Sequence, residues 1–412
     1  MSQPKTSVIF IGLLSAFSLL TFDLYQPSLP YLTNYFGTSH GLSQLTLSIY
    51  LFTFGISQLI FGPLIDHFGR CRLLPASLVL AIIASIICAF SPNIGVLIFG
   101  RALQGIALCC ANLIAFSVSR DFEDTKERAN VLSYISMIVS VSPILAPVLG
   151  SLIFTYCGWQ ANFMLMAVIG LALLLQAPRA LFESPFWSAP SHSFKPKALI
   201  KSYQTILRSP ALWHAALIMM FSFAAVMLTI INSSYLIIDV LGFSPMGFGL
   251  IFIFNGLNII VGNYLGIWLR ERFSMASTIY MGTCLIIIGG LAMGFSLNRY
   301  GFSLAVLSFA LIANLGISVS APPTMSLVLS GYKENTGLAL AFIHTIRMFG
   351  SALFSVVIGY LITQNLNALP LGLITCGMGA LYCAYYFNRL TVMPDGCEVE
   401  ASETQATTAI TA

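Results

Sequence analysis

The 412-residue sequence has little charge, because Asp, Glu, Lys and Arg make up only 8% of it while hydrophobic residues make up 58%. A soluble globular domain carries about 25% charged residues. Together with a mean hydropathy of +0.90, this shortage of charge excludes a soluble enzyme. Apolar segments of membrane-spanning length recur along the whole chain, and they predict an all-α polytopic membrane protein.

The sequence also lacks the motifs of metal sites, nucleotide sites and covalent catalysis. It has no HExxH, no Walker loop and no nucleophile–base pair. None of its nine cysteines forms a CxxC pair, and most lie in apolar runs, where cysteine packs as a small hydrophobic residue. We therefore expect no enzyme activity, no cofactor and no metal. The cations are scattered over short loops, so nucleic acid is not an expected partner.

Twelve membrane spans are predicted from the apolar runs. They lie at about 7–34, 43–63, 73–91, 94–118, 129–154, 160–178, 211–238, 245–269, 273–296, 300–329, 336–363 and 367–388. The first run could be a signal peptide, but it has no clear small-residue cleavage site and continues into a longer apolar helix. A retained first span is the favoured interpretation.

The distribution of cations predicts the topology and the domains. Nearly all of the 18 Lys and Arg residues fall in loops on one side, only Arg299 falls on the other, and Arg101 and Arg347 lie inside spans. The positive-inside rule then puts both termini in the cytoplasm. The predicted organisation is a six-helix bundle (1–180), a cytoplasmic loop (181–209), a second six-helix bundle (210–389) and a disordered tail (390–412). The two bundles are expected to surround a central cavity.

The stretch "TFDLYQPSLPYL" places a carboxylate inside the first span. Asp23 is the only acidic residue well inside any span, since Asp239 falls near the outer end of the seventh. Pro27 and Pro30 cannot donate the helical hydrogen bonds that Asp23 and Gln26 would accept. Broken helix at membrane depth is tolerated where it lines a cavity. The pattern predicts a kinked, cavity-facing segment whose carboxylate binds both proton and substrate.

Arg101 lies several residues inside the fourth span. An intramembrane cation costs about 2.5–3.5 kcal/mol on insertion scales, so it should face the protein interior and have a partner. At helical spacing, Arg101 shares a polar or small face with Gln104, Gly105 and Asn112. That face fits a cavity lining. The alternative is a structural arginine held by backbone carbonyls.

Span five carries prolines and small residues in "SPILAPVLGS". Pro143 and Pro147 remove helical donors and bend the helix. With Gly150 they form a small-residue stripe against which another helix can pack closely. We expect a gating or leak-blocking interface, and plain helix packing is the alternative.

The loop "GPLIDHFGRCRLL" joins spans two and three. Gly62 would permit close helix approach and Gly69 a tight turn, while Asp66 and Arg70 supply opposite charges at the helix junction. The alternative is a purely structural turn between two helices, held by an ordinary salt bridge.

Span eleven contains "FIHTIRMFG", with His344 and Arg347 on one face. One interpretation is a site for an anionic or zwitterionic substrate, and a second is a proton relay through the histidine. The third is an arginine that snorkels or binds carbonyls at a helix contact.

These motifs resemble the major facilitator superfamily and, more narrowly, its bicyclomycin/chloramphenicol-resistance (Bcr/CflA) branch of twelve-span drug:proton antiporters. The resemblance is close over most of the N-terminal half and loose over the C-terminal half. The matching residues are Asp23, Tyr25 and Pro27 in span one; Gly62, Leu64, Asp66, Gly69 and Arg70 in the loop; Arg101, Gln104 and Gly105 in span four; and Pro147 and Gly150 in span five. The family's pattern is replaced at His67, Cys71, Ala146 and Ser151.

The resemblance implies a secondary transporter that exports drugs or other amphipathic small molecules in exchange for protons. It implies that Asp66 locks one conformation by pairing with basic residues such as Arg70 and Arg120. The expected proton and substrate site comprises Asp23, Tyr25, Gln26, Arg101, Gln104, Asn112, His344 and Arg347. The expected partners are the substrate, protons and the lipid bilayer, with a monomer as the working unit.

Other functions stay open at this point. The scaffold could instead export a specific metabolite such as an amino acid, sugar or siderophore, which His344 and Arg347 favour. A non-transporting receptor lacks support because no soluble signalling domain is predicted. A membrane enzyme lacks support because Asp23 has no partner base.

Overall fold

The computed structural model describes residues 7–121, 125–183, 204, 207–330 and 336–391, and every regular element in these ranges is helical. The α-helices are α1 Val8–Asp23, α2 Leu29–Tyr35, α3 His40–Phe68, α4 Arg70–Ala89, α5 Ile94–Ser117, α6 Thr125–Cys157, α7 Trp159–Ala180, α8 Pro210–Ser234, α9 Pro245–Arg272, α10 Met275–Tyr300, α11 Leu304–Ser330, α12 Thr336–Gln364 and α13 Ala368–Thr391. Short 3-10 turns cover Gln26–Ser28 and Val118–Asp121, and a π-helical turn, Tyr235–Val240, follows α8.

Twelve helices in the described ranges are long and apolar enough to cross a membrane, with α1 and α2 together forming the first. The predicted number of spans is confirmed, and most ends agree within a few residues. The second span is longer than predicted, because α3 continues to Phe68 beyond the apolar run. Span seven begins at Pro210, and Ser209 caps it, since Ser209 Oγ accepts a hydrogen bond from the Leu212 amide.

The helix pairings of the first six spans recur in the last six. In the first half α3 packs on α5, α4 on α7 and α1 on α6; in the second half α9 packs on α11, α10 on α13 and α8 on α12. This repetition gives the predicted two six-helix bundles. Most residues of the predicted loop (181–209) and all but the first two of the predicted tail (390–412) lie outside the described residues, so these boundaries stay predictions.

Two helix pairs, α3 with α12 and α6 with α9, join the halves. Glycines allow these close approaches, because a Cβ on Gly55 would meet Met348 and the Phe349 backbone, and one on Gly249 would meet the Pro147 carbonyl. At one end of the molecule His40 Nδ1 lies 3.5 Å from Asp239 Oδ2, and this ion pair also joins the halves.

Candidate functional site

The first span is broken at its carboxylate. Helix α1 ends at Asp23, Tyr25 leaves helical geometry with φ −97° and ψ 1°, and a 3-10 turn precedes α2. Pro27 lies within that turn, and Pro30 lies in the first turn of α2, where its missing amide hydrogen is tolerated. The break predicted from the prolines therefore lies immediately after the only acidic residue deep in a span.

Asp23 lies in this break with 5% of its surface exposed. Its Oδ1 accepts a hydrogen bond of 2.7 Å from Gln26 Nε2. The ion pairs given by the described residues, Arg70–Asp121 and His40–Asp239, do not include it. Asp23 is thus held by one neutral hydrogen-bond donor. It can bind either a proton or a cation without first breaking an ion pair with a Lys or Arg of the protein.

Arg101 is fully buried in the core of the first half. Its Nη1 donates to the Thr21 carbonyl at 3.0 Å and to Gln104 Oε1 at 2.6 Å, and its Nε donates to the Thr46 carbonyl at 3.3 Å. Helices α1, α3 and α5 are thereby joined through one guanidinium. Of the two alternatives left open by the sequence, this geometry favours the arginine held by carbonyls over the one lining a cavity.

Two tyrosines enclose the guanidinium. The rings of Tyr25 and Tyr50 both lie 4.6 Å from Arg101 Cζ, a cation–π distance. Tyr25 and Thr46 share a hydroxyl hydrogen bond of 2.7 Å, and Tyr50 donates to the Ser18 carbonyl at 2.7 Å. Sequence reasoning identified Tyr25 but missed Tyr50 and Thr46. Their spacing of four places them on one face of span two, which is the signal that could have found them.

The remaining predicted polar residues of the first half support the same core. Gln104 Nε2 donates to Ser85 Oγ at 2.7 Å, which extends the network to α4. Asn112 Nδ2 donates to Ser18 Oγ at 2.9 Å, farther along α5. These contacts hold helices in place, whereas Asp23 is the one carboxylate among the predicted site residues of this half.

His344 and Arg347 lie in the other half, on α12, and are half-buried. Arg347 Cζ lies 4.8 Å from the centroid of the Phe223 ring on α8, and its buried Nε has no partner among the described residues. His344 shares a face with the buried Ser351 and Ser355. This face lies opposite the exposed strip of α12, so it points into the protein. The structure thus places these residues apart from the Arg101 cluster.

The predicted gating loop is a sharp turn between α3 and α4. Gly69 has φ +80°, a left-handed conformation that favours glycine, so the tight turn is confirmed. Gly62 was expected to permit close helix approach, and that prediction is wrong here. A Cβ on Gly62 would meet no described atom within 4 Å.

Arg70 forms an ion pair with Asp121, and its Nε donates to the Phe182 carbonyl. The backbone amides of Arg70 and Cys71 donate to Glu183 at 3.1 and 2.7 Å, so this carboxylate caps α4. The capping role of Glu183 was not predicted, since it lies more than a hundred residues away along the chain. The Arg120 side chain lies outside the described part of the chain, and the lock formed by Asp66 stays a prediction.

The predicted small-residue stripe of span five is a packing surface on two sides. A Cβ on Gly150 would overlap the backbone carbonyl of Leu24, so α6 lies directly against the break in the first span. Pro147 and Ile144 face Gly249 and Gly256 of α9. Pro143 lies inside the same uninterrupted helix. The stripe therefore connects the Asp23 segment with the second half of the molecule.

The fold defines the class of protein: a polytopic helical membrane protein built of two repeated six-helix bundles, the architecture of secondary transporters. Residues 11–355 match the Major Facilitator Superfamily. The chain belongs to this superfamily and is a transporter, not an enzyme.

Relatives and solved structures agree with this assignment. The chain is 26% identical over 381 residues to "Uncharacterized MFS-type transporter YdgK" of Bacillus subtilis, covering 88% of this chain and 90% of that one. It is 28% identical over 338 residues to "Multidrug resistance protein MdtL" of Escherichia coli, covering 81% and 83%. The crystal structure of a D-xylose-proton symporter shares the fold with a TM-score of 0.75 at 15% identity, covering 95% of this chain and 99% of that one. An inward-open xylose transporter XylE from E. coli gives 0.73 at 14% identity, with coverage of 97% and 98%.

Proposed function

We propose that this transporter exports drugs or other amphipathic small molecules in exchange for protons, and that it belongs to the Bcr/CflA branch. The similarity to a relative named as a multidrug resistance protein supports the direction and the substrate class. The observation that carries the proposal is Asp23, a buried carboxylate at a helix break, held by a single neutral hydrogen bond.

Proton and substrate would compete for the same carboxylate. Each ligand shifts the equilibrium between the two access states only through its different affinity for them. If Asp23 takes a proton on one side and gives it up to a cationic substrate on the other, uptake of one requires release of the other. This exclusion is sufficient for antiport without a second acidic group inside the membrane.

Arg101 would position this site rather than bind the substrate. Its three hydrogen bonds tie α1, α3 and α5 together one turn before the break. The Leu24 backbone is in turn covered by Gly150 of α6. The carboxylate is thus held at a fixed point between helices, which is the arrangement that alternating access requires of a shared site.

The contacts between the halves support a state closed on the outer side. The His40–Asp239 pair lies at the ends that the cation distribution assigns to the outside, and the turn Gln26–Ser28 packs on α8 and α9. The same distribution supports an orientation with both termini in the cytoplasm. The similarity to bacterial transporters supports the bacterial inner membrane as the location. The predicted Asp66 lock would act at the opposite end, in the other access state.

The charge count has a consequence for energetics. One carboxylate exchanging one monovalent cation for one proton moves no net charge across the membrane. The driving force is then the pH gradient alone, about 1.4 kcal/mol or tenfold accumulation per pH unit. Export of a neutral substrate would instead respond to the membrane potential.

The test uses inverted membrane vesicles and a cationic substrate chosen from a drug panel on a sensitised host. We expect pH-gradient-driven uptake by the wild type and none by Asp23→Asn, with unchanged protein level. Glu271→Gln is the control, since it removes an exposed carboxylate at the end of α9, away from Asp23, and should retain uptake. Full pH-driven uptake by Asp23→Asn would contradict the proposal, as would uptake of a monovalent cation driven by membrane potential at zero pH gradient.

A second candidate is dedicated export of a metabolite that carries an anionic group. Arg347 supports it, because this half-buried cation has an unpaired Nε and an aromatic ring as its contact. Counterflow with panels of amino acids, sugars and siderophores separates the two functions. Activity confined to one metabolite and lost in Arg347→Gln would favour the second candidate over drug export.

A further inference from the structure

Helices α3 and α12 form a contact between the two halves that extends to the end of the molecule assigned to the outside by the cation distribution. Near the middle of α3, Thr345 Oγ1 donates to the Gly55 carbonyl at 2.8 Å. One turn farther out, the ring centroids of Phe52 and Phe349 lie 4.5 Å apart. The two helices therefore run in opposite directions, so that each earlier turn of α3 meets a later turn of α12. The outer seam is the contact of residues 40–52 with residues 349–364, beside the outer end of α8.

Two amide side chains in the outer seam each have an unpaired atom. A Cβ on Gly359 of α12 would lie 3.0 Å from Gln44 Oε1 and 3.1 Å from Asn232 Oδ1, so these residues of α3, α8 and α12 meet. Both amides are buried. Among the described residues, Gln44 Nε2 and Asn232 Oδ1 have no hydrogen-bond partner. The glycine permits the close approach, but the amides that meet there are not satisfied.

Two serines of the outer seam are also unpaired. Ser48 lies one turn from Gln44 and Ser355 lies one turn from Gly359, so the antiparallel register places the two serines opposite each other. Each is at most 2% exposed. Neither Oγ has a hydrogen-bond partner in the part of the chain that the structure describes. The seam thus buries four unpaired polar atoms, two from each half of the molecule.

Four unpaired polar atoms in one contact are unusual, because nearly all buried polar groups in native structures have a partner. When the halves close, each of these atoms loses its hydrogen bonds to water and gains none from the protein. When the outer side opens, water can bind to them again. The unpaired atoms therefore oppose closure, whereas the Phe52–Phe349 contact and the glycine approaches favour it.

We propose that these four atoms set the balance between the two access states by destabilising the closed outer seam. Closure then has only a small margin, and a ligand with a modest difference in affinity for the two states can open the outer side. Apolar residues at the same positions would hold the transporter closed to the outside. The proposal rests on alternation between access states and is independent of the exported substrate and of proton exchange.

The variants Ser48→Ala and Ser355→Ala test the proposal, because each removes an unpaired oxygen without adding bulk. Ser351→Ala is the matched control. Ser351 is equally buried on α12, one turn from Ser355, but its Oγ donates to the Met348 carbonyl at 3.0 Å. The control therefore makes the same chemical change on the same helix, and it accounts for the higher helix propensity of alanine.

Electron–electron distance measurements on the full-length protein in phosphatidylethanolamine/phosphatidylglycerol nanodiscs give the fractions of outside-closed and outside-open molecules. Spin labels are carried by noncanonical amino acids at Asn34 and Asn298, exposed positions near the outer ends of the two halves. Ser48→Ala and Ser355→Ala should each raise the ratio of closed to open molecules at least about fivefold. Ser351→Ala should leave the ratio unchanged.

Unfolding in denaturant covers the case in which nearly all wild-type molecules are already closed. The unfolding constant should then fall at least about fivefold in Ser48→Ala and Ser355→Ala, because the closed state loses an unpaired group. Ser351→Ala loses a paired hydroxyl and should not lower this constant. Gln44→Leu extends the test to the amides and should act in the same direction as the two serine variants.

The proposal is overturned if Ser48→Ala and Ser355→Ala lower the ratio of closed to open molecules or raise the unfolding constant, since the hydroxyls would then hold the seam closed. It is also overturned if neither measurement changes, or if Ser351→Ala changes both as much as the test variants do. Neither measurement depends on transport. A failure of proton-coupled export would therefore leave these results unaffected, and the two proposals fail independently.

Discussion

The two halves of the molecule use the same helix pairings but fill the space between them differently. Between α1, α3 and α5 a guanidinium, Arg101, is enclosed by two tyrosine rings and three hydrogen-bond acceptors. Between the corresponding helices α8, α9 and α11, the pair Asn255–Asn314 borders a cavity. The first arrangement is fully packed and charged, and the second is neutral and partly empty.

This difference indicates that the two halves differ in rigidity. A buried cation with several partners holds its helices in one geometry, because any displacement breaks charge-assisted hydrogen bonds. A neutral amide pair beside a cavity permits small movements and leaves room for a ligand. We infer that the first half provides the rigid frame for the Asp23 chemistry, while the second half provides adaptable binding surface.

The largest expected effect comes from removing the buried cation. Arg101→Leu leaves the carbonyls of Thr21 and Thr46 and the Gln104 side chain without their donor, at about 3 kcal/mol or more of the free energy of unfolding. Asn314→Leu in the second half removes two neutral bonds, one to Asn255 and one from Thr229, and should cost about 1–2 kcal/mol. Denaturant unfolding of both purified variants measures the difference. Equal losses would contradict a more rigid first half.

The next effect concerns two glycines at helix contacts. Gly150→Ala would press its methyl group against the Leu24 carbonyl, a backbone atom that cannot move aside without shifting the Asp23 segment. Overpacking of this kind costs about 1–3 kcal/mol. Gly256→Ala on α9 would instead meet the side chain of Ile144, which can change rotamer.

Thermal unfolding should therefore show a clear loss for Gly150→Ala and a change within about 0.5 kcal/mol for Gly256→Ala, since alanine also favours the helix. A similar loss in both variants would mean that the contact between α6 and α9, which joins the halves, yields no more easily than the contact inside the first half.

A smaller difference in the free energy of unfolding is expected between two variants that each lose one hydroxyl group. Tyr50→Phe removes a hydrogen bond of 2.7 Å to the Ser18 carbonyl but keeps the ring over Arg101, so we expect a loss of about 1 kcal/mol. Thr229→Val removes a bond of 2.8 Å to the Val226 carbonyl within its own helix and a longer contact of 3.4 Å to Asn314. It removes no strong bond between helices and should cost less, within about 0.5 kcal/mol. Chemical denaturation of the two variants under one condition provides the comparison, and a reversed order would contradict it.

The spans and the break in the first span can be predicted from the sequence, but the contacts that distinguish the two halves cannot. Apolar length and loop charge predict twelve spans, and Pro27 and Pro30 predict the break beside Asp23, since these are local properties of the chain. The partners of Arg101 could not be predicted, because they depend on how whole helices rotate against one another. The error at Gly62 has the same origin, since a small residue permits close approach but does not say whether a neighbour is there.

The smallest expected effect belongs to the pair that connects the halves. His40 and Asp239 lie 3.5 Å apart at partly exposed positions, so water and salt screen their attraction. A double-mutant cycle with His40→Ala and Asp239→Asn should give a coupling energy of about 0.2–1 kcal/mol at low salt, and less at about 1 M salt. Because the pair bridges the two halves, the same variants should shift the balance between access states more than they change stability. Cysteine cross-linking across the outer ends of α3 and α8 measures that balance. Coupling that is unchanged at about 1 M salt would show that the contact depends on packing against Tyr235, 4.6 Å from the His40 ring, rather than on charge.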